Sequence, residues 1–354
     1  MNKIEINLDS TSLGTSACIL EFVRTVIGDP EHPEQGAYRQ KVNKIELNYG
    51  IACHLFVDTM YKTRGRYDLA SSIAKKWFLE TPNIPSKQKA HLSDPNHLIA
   101  TCYNLWTIFI ENDGAFEVLS LPGKCWWCKG SGKDISFIQG SEYEEYICSM
   151  CDGTGIDKAQ AATEVTFSIP FYEDDRLIVN LCGTEDRIGK FKNGVYCIRD
   201  WKFTSSPNPE AYFVQYELSR QLRMYTLACK LMAELYPDSV MGQVGKTHMG
   251  AAIDGVFLNK NANDTKHVMS PVFQYSDSDI QAFKRQLLDF CKRLSEHIGS
   301  MYFPKEGIIN GTCNKLYGGH CQFWVPCKLN EQVSNVILNR DFIRKPYDPL
   351  HFND

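Results

Sequence analysis

Two copies of one short pattern stand nineteen residues apart: Cys125-Trp126-Trp127-Cys128-Lys129-Gly130-Ser131-Gly132 and Cys148-Ser149-Met150-Cys151-Asp152-Gly153-Thr154-Gly155. A pair of cysteines separated by two residues presents two thiolates to one ion. Two such knuckles supply the four ligands of a tetrahedral structural zinc. The glycines after each knuckle let backbone amides turn toward the sulfurs, which favours an all-thiolate site. From Gly123 to Gly155 the sequence has almost no hydrophobic periodicity, so this block is held by its cysteines or it is not held at all. Residues 123–156 are therefore expected to form a small zinc-binding insertion, with a redox dithiol pair as the rival reading. Trp126 and Trp127 are candidates to stack on bases or on a partner, or to pack against the main body.

The chain carries fourteen cysteines, and eight of them fall in patterned places. The other six (Cys53, Cys102, Cys182, Cys197, Cys229, Cys291) sit in apolar or helical text and read as small buried hydrophobes. The opening residues MNKIEINLDSTSLG lack the apolar core of an export signal, so the patterned cysteines point to metals more than to disulfides. No stretch has the apolar length of a membrane span. The expected location is the cytoplasm or nucleoid, or the host cytoplasm for a phage protein. At a net charge of -4 the chain is a poor candidate for a passive DNA-coating protein, because phosphate neutralisation dominates that kind of affinity. A nuclease is not excluded, since bound cations mask an acidic centre. Local basic surface is expected around Arg187, Lys190 and Lys192.

Helices are expected near 12–27, with Ser10, Thr11 and Ser12 as caps, near 43–61, and over much of 62–115. In the second, Leu47, Ile51 and Leu55 recur every four residues and suggest a buried stripe. Strand text follows at 163–171, 176–188 and 194–203, the last two joined as an antiparallel hairpin. A long helix is expected over 211–234, further strand text over 251–272, and an amphipathic helix near 278–297 marked by Ile280, Phe283, Leu287, Phe290 and Leu294. This order implies an α/β fold with a central mixed β-sheet flanked by helices. The parts would be an N-terminal helical part (1–122), the insertion (123–156), a catalytic core (157–298) and a cysteine-rich segment and tail (299–354). The Gly-Lys-Thr at 245–247 is a decoy: a phosphate-binding loop needs an earlier glycine that the chain lacks.

Asp200 and Lys202 stand two apart in strand text, so their side chains share a face. The hairpin brings Asp186 near Asp200. Two converging carboxylates can hold Mg²⁺ or Mn²⁺, and phosphodiester hydrolysis needs a polarised phosphate, an activated water and charge neutralisation, all of which such an ion supplies. Lys202 would orient or deprotonate the water or stabilise developing charge. Gln221 and Tyr225 are an i, i+4 pair able to donate to a phosphate. A neutral His54 would add a nitrogen ligand.

In this order the motifs resemble those of the PD-(D/E)XK nucleases of the RecB, AddB and Cas4 type: GIACH at 50–54, GTEDRI at 183–188, RDWKFT at 199–204 and QLRMY at 221–225. The resemblance runs from about residue 10 to 330, leaving out the insertion. It implies a restriction-endonuclease-like core in which His54, Asp186, Asp200 and the carbonyl of Trp201 ligate the metal. Lys202 would be the catalytic lysine, and Gln221 and Tyr225 would hold substrate. Glu164 resembles the glutamate on the strand before the first metal aspartate, where it would position water or a second ion. Asp200 stands where glutamate is commoner, and it can ligate equally. The CxxCxGxG text is similar to the zinc modules of DnaJ-type chaperones over about thirty residues, which implies a zinc fold and not a chaperone.

Many members of the nuclease family carry one cysteine before the core and three after it, holding a [4Fe-4S] cluster. Here Cys18, Cys313, Cys321 and Cys327 take those places, and such a cluster would staple chain start to chain end. A zinc site using His320 with the three late cysteines is the alternative, and unligated thiols a third. The implied function is a DNA exonuclease or single-strand-directed nuclease in recombination, repair or phage DNA processing. It would act alone or beside a helicase, recombinase or single-strand-binding protein. The alternatives are an inactive DNA-binding or assembly module on a nuclease scaffold, and a zinc-dependent interaction adaptor. Cleavage polarity and a preference for DNA over RNA have no visible signature.

Overall fold

The computed structural model describes residues 3–40, 43–84, 89–112, 116–125, 128–137, 143–148, 151–314 and 320–350. Trp126 and Trp127 lie outside the described residues. Among the described residues, seven strands form one mixed sheet: β1 (Ile4–Leu8), β2 (Phe116–Val118), β3 (Thr163–Glu173), β4 (Leu177–Phe191), β5 (Tyr196–Thr204), β6 (Gly250–Phe257) and β7 (Lys266–Met269). The helices that flank it are α1 (Ile45–Lys62), α2 (Tyr67–Glu80), α3 (Pro95–Asn112), α4 (Arg220–Leu235) and α5 (Asp277–Ser300).

The long strand β4 organises the sheet. One of its edges pairs antiparallel with β3 up to Arg187 and then with β2 at 189–191. The other edge pairs parallel with β1 over 177–181 and antiparallel with β5 over 187–190. Residues 182–186 on that second edge therefore have no strand beside them among the described residues. The gap exists because β4 continues the ladder from one partner to another, and it falls at the GTED text. Beyond β5 the sheet runs parallel to β6 and then antiparallel to β7.

Two cores cover the faces. One joins β1, β3 and β4 to α4 and α5, with Leu181, Val179, Ile169, Leu227 and Leu294 buried and Phe22 meeting Phe290 edge-on at 4.9 Å between centroids. Each such side chain contributes about 1.5–3 kcal/mol on burial. The other joins α1, α2 and α3 to Trp201 and Val256. The six unpatterned cysteines are all buried. Among the described residues no helix is long and apolar enough to cross a membrane.

Several local expectations need correction. The buried face of α1 is Ile45, Tyr49, Ala52, Cys53, Phe56 and Met60, while Leu47 is 47% exposed. Leu47 is two residues from both Ile45 and Tyr49, which puts it on the far side of a helix with about 3.6 residues per turn. The helix near 12–27 is two short pieces, Ser10–Leu13 and Ile19–Phe22, the second running on into Val23–Ile27; Asp9 caps the first, accepting from the Ser12 amide at 2.9 Å. The helix over 211–234 is broken into Pro209–Val214 and α4, because Asn208 and Ser219 each cap a new start with a side-chain oxygen. Gly245 of the Gly-Lys-Thr decoy closes a short helix, Val240–Gly245, where an added Cβ would meet the Cys229 carbonyl at 1.9 Å. It serves helix packing and no phosphate loop.

Candidate metal centre

The β4–β5 ladder ends at the pair Arg187 and Arg199, and the acidic residues lie just past that point. Asp186 turns its carboxylate into the opening, where Oδ2 accepts the backbone N–H of Trp201 at 2.6 Å. Asp200, on β5, takes the Lys202 ammonium at 2.5 Å on Oδ2 and the Gln221 amide at 2.9 Å on Oδ1. Gln221 also donates to the Tyr225 hydroxyl at 2.9 Å, and that hydroxyl donates to the Thr184 carbonyl at 2.8 Å. Thr184 lies in the stretch of β4 with an open edge, so α4 satisfies a carbonyl there. The break before Ser219 is what puts Gln221 in the first turn of α4, over Asp200.

From the other side α1 brings His54, whose Nδ1 is 3.5 Å from Asp186 Oδ2, and the Trp201 carbonyl faces its ring. Glu164 enters from β3 in a left-handed backbone conformation, φ 48°. Ligand atoms of His54, Glu164 and Asp186 all fall within 4.8 Å of one another. Asp200 is not in that closest group, being tied to Lys202. His54, Glu164 and Asp186 thus form the closest group, and Asp200, Trp201, Lys202, Gln221 and Tyr225 are joined to it or to one another by direct hydrogen bonds and ion pairs.

The electrostatics are those of carboxylates gathered out of water. Burial pushes Asp186 up to about 6, against the pull of Lys202. Burial likewise lifts Asp200 to about 6, with Lys202 opposing and Asp186 adding to the rise. Glu164 is raised well above the carboxylate range by burial, then by Asp186 and Asp58. Burial and the Lys202 charge hold His54 down at about 4, so the imidazole is neutral and able to ligate. Lys202 itself is raised: burial alone would lower it, but Asp200 and Asp186 outweigh that. A divalent cation among these oxygens and one nitrogen would relieve the crowding, and the donor set suits Mg²⁺ or Mn²⁺.

The centre opens into a cavity of about 590 Å³ that His54, Glu164 and Asp186 line together with Asp58 and Lys62. Pro349 and Leu350, from the far end of the chain, form part of its wall. They are held there by Tyr347, whose hydroxyl bonds Asp9 at 2.5 Å. Sequence reasoning missed Asp58, which lies one helical turn beyond His54; its carboxylate takes Lys62 at 2.8 Å and the Thr163 hydroxyl at 2.8 Å. It also missed the cluster behind the centre. Arg187 is buried and pairs with Asp254, which also takes Arg199 and, at 2.7 Å, His267. The Arg187 guanidinium lies 4.5 Å from the centroid of the Trp201 ring. Arg187 is therefore a core ion pair and no part of a basic surface, and Lys190 lies 3.4 Å from Glu117.

No protein-family model matches this sequence, and no curated protein is detectably similar to it.

The four cysteines of the insertion are buried together as one potential metal group. Cys125 and Cys148 sulfurs are 3.8 Å apart and those of Cys128 and Cys151 3.7 Å. Zn–S bonds near 2.3 Å at the tetrahedral angle require about 3.8 Å. The knuckles repeat each other's bonds: the Gly132 amide donates to Cys128 Sγ and the Gly155 amide to Cys151 Sγ, each at 3.3 Å. Both glycines have φ near +73° and lie so close to the opposite knuckle that a Cβ would come within 2.1 Å of the Gly153 carbonyl or 2.3 Å of the Gly130 carbonyl. Burial opposes ionisation of the Cys128 thiol, but the Gly132 amide and the neighbouring Cys125 and Cys151 outweigh it and bring the thiol to about 6.

The late cysteines also gather. Cys18 and Cys313 both flank Gly307, and the Cys321 amide donates to the Cys313 carbonyl at 2.8 Å. Arg24 donates to Cys327 Sγ at 3.3 Å. Their thiols are not among the groups of described residues whose ligand atoms all lie within 4.8 Å. The His320 ring stacks on Trp324, 4.8 Å between centroids, and its Nδ1 lies 3.1 Å from Asn314.

Proposed function

We propose that this protein is a metal-dependent nuclease hydrolysing phosphodiester bonds in DNA, on a restriction-endonuclease-like core of the PD-(D/E)XK type. The observation that carries this reading is the convergence of His54, Asp186, Asp200, Lys202 and Gln221 where β4 and β5 part. The hairpin alone brings Asp186, Asp200 and Lys202 together, but His54 and Gln221, 167 positions apart, reach them from separate helices. A structural ion-pair network would match charges, whereas here burial raises the proton affinity of Asp186 and Asp200 despite the neighbouring Lys202.

His54, Glu164, Asp186 and Asp200 would hold Mg²⁺ or Mn²⁺, with the Trp201 carbonyl as a further oxygen. When bound, the cation polarises the phosphodiester and acidifies a water. The chain's own groups do the rest. Lys202, kept charged by its carboxylate neighbours, donates to a phosphoryl oxygen and stabilises the charge that develops on it. Gln221 keeps Asp200 oriented through its amide, whose two N–H groups go to Asp200 and to the Tyr225 hydroxyl. Tyr225 fixes Gln221 from below. Asp58 holds Lys62 at the cavity wall, where its ammonium faces an entering phosphate.

The four insertion cysteines would bind a structural Zn²⁺. Cys18, Cys313, Cys321 and Cys327 would hold a [4Fe-4S] cluster; the approach of Cys18 and Cys313 to Gly307 and the packing of Cys313, Cys321 and Cys327 in one cluster support this reading. The nuclease would work on DNA with a free end or a single-stranded part, alone or beside a helicase, recombinase or single-strand-binding protein.

The test is Mn²⁺- and Mg²⁺-dependent cleavage of end-labelled single- and double-stranded DNA by anaerobically purified protein, with Lys202→Ala as control. Cleavage by the intact protein, reduced by about a hundredfold or more in the control, is expected. Failure of metal-loaded protein to cut would leave a binding module.

A further inference from the structure

A second cleft, of about 380 Å³, opens at the carboxyl ends of β5 and β6. Those two strands are the parallel pair of the catalytic half of the sheet, and open α/β sheets place ligands outside the carboxyl ends of parallel strands. The cleft is lined by Lys89, His91, Ser205, Ser206, Lys260 and Lys266. Three ammonium groups face one carboxylate, Asp264, in a chain whose net charge is -4. Lys89 lies 3.8 Å from Glu46, while Lys260 and Lys266 are exposed and have no carboxylate partner among the described residues. His91 Nε2 is buried with no hydrogen-bond partner among the described residues. A buried polar atom of this kind asks for a ligand or water.

The floor of the cleft is fixed by the fold. The Leu258 amide continues the ladder to the Thr204 carbonyl at 2.7 Å, and His97 Nε2 bonds the Asn259 carbonyl at 2.8 Å. Ser205 follows directly on β5, three residues after Lys202. Extended chain covers that separation in about 10 Å. The cleft therefore lies next to the point where a scissile phosphate would sit, along the direction in which β5 leaves the centre.

We infer that this cleft is a binding site for the sugar–phosphate backbone of a single DNA strand, holding the phosphates that flank the one being cut. The inference rests on the nuclease reading of the metal centre and adds the path of the substrate to it. The lysines supply charge, and the Ser205 and Ser206 hydroxyls and the neutral His91 supply hydrogen bonds to phosphate and sugar oxygens without reading bases. The cleft volume of about 380 Å³ suits one strand.

The experiment compares Lys260→Gln/Lys266→Gln with Arg285→Gln/Lys292→Gln, an equal charge loss on the exposed face of α5. Binding of fluorescein-labelled oligothymidylate is followed by anisotropy over a salt series, with Mg²⁺ and the cleavage-deficient Lys202→Ala background. Cleavage is measured with Lys202 intact. The cleft variant is expected to lower the slope of log affinity against log salt by about 1.4, since each phosphate contact on a single strand contributes about 0.7. Its KM should rise on long oligonucleotides and stay unchanged on ones too short to leave the metal centre, with kcat retained on both. A slope equal to that of the α5 variant overturns the inference while leaving the nuclease intact. An equal loss on blunt duplex overturns the single-strand assignment. If the unsubstituted protein neither binds nor cuts DNA, the nuclease reading falls and this inference with it.

Discussion

The carboxylate of Asp186 stands in for a missing strand: its Oδ2 accepts the Trp201 N–H at 2.6 Å, just beyond the last ladder pair between β4 and β5. One side chain thereby closes the sheet's backbone account and offers its remaining oxygen lone pairs to the space between His54 and Glu164. Two features of the fold pull its ionisation in opposite directions. The backbone bond favours the ionised form, while burial disfavours it.

Asp186→Asn tests that conflict. The amide oxygen can keep the Trp201 bond without a buried charge. In chelator at neutral pH the variant should be more stable than the parent by about 1–3 kcal/mol in denaturant unfolding, because a carboxylate lifted to about 6 costs the fold in its ionised form. DNA cleavage should be abolished. A variant that is both less stable and active would remove Asp186 from the centre.

Metal affinity should fall as pH drops through 6. Asp186 and Asp200 are both raised to about 6, so protons compete with the cation below that value. The loss should approach tenfold per pH unit for each carboxylate involved, read by Mn²⁺ titration. In the metal-free protein the sign for stability is reversed. These two acids favour the fold most fully below the ordinary range near 4, and that contribution declines as pH rises through 6. His54, held at about 4, works the other way between 4 and 6.5. Two acids outnumber one imidazole, so the metal-free centre should gain stability on mild acidification. Adding Mn²⁺ at neutral pH should remove the difference.

Sequence legibility divided along physical lines. The hairpin and the Asp200/Lys202 pair were readable because strand alternation fixes faces locally, and Asp186 followed from the turn. The face of α1 was misread because recurrence every four residues was followed where burial mixes steps of three and four. Arg187 was misread for a different reason. Its partner Asp254 is 67 positions away, and nothing near Arg187 announces a buried charge. The break in 211–234 was equally hidden, since Ser219 acts as a cap only because the chain turns there.

Asp254→Asn should destabilise the protein by about 3–5 kcal/mol, because it leaves Arg187 and Arg199 buried without their shared countercharge. The two guanidiniums hold Asp254 well below the usual carboxylate range, though burial opposes them. Its contribution is therefore present at neutral pH and persists as pH falls below that range. Chemical unfolding at neutral pH checks the magnitude.

Gly132→Ala should disrupt the cysteine module without touching the acidic centre. The new Cβ would sit 2.1 Å from the Gly153 carbonyl, at a backbone conformation that side chains rarely adopt. Bound zinc should fall toward the level of Cys148→Ser, measured by elemental analysis, while any cleavage of short oligonucleotides persists. Retained zinc in both variants would remove these cysteines as the ligands.

The bond between Tyr347 and Asp9 spans 338 positions, and it holds Pro349 and Leu350 against the cavity. During synthesis every acidic residue of the centre is made well before that wall exists. A ribosome-bound chain halted short of Tyr347 would lack that wall, so its pocket would be open on one side. On the nuclease reading, cleavage is then expected to need Pro349 and Leu350 in place as well as the acidic centre. Stalled chains that already cut would show the wall to be dispensable.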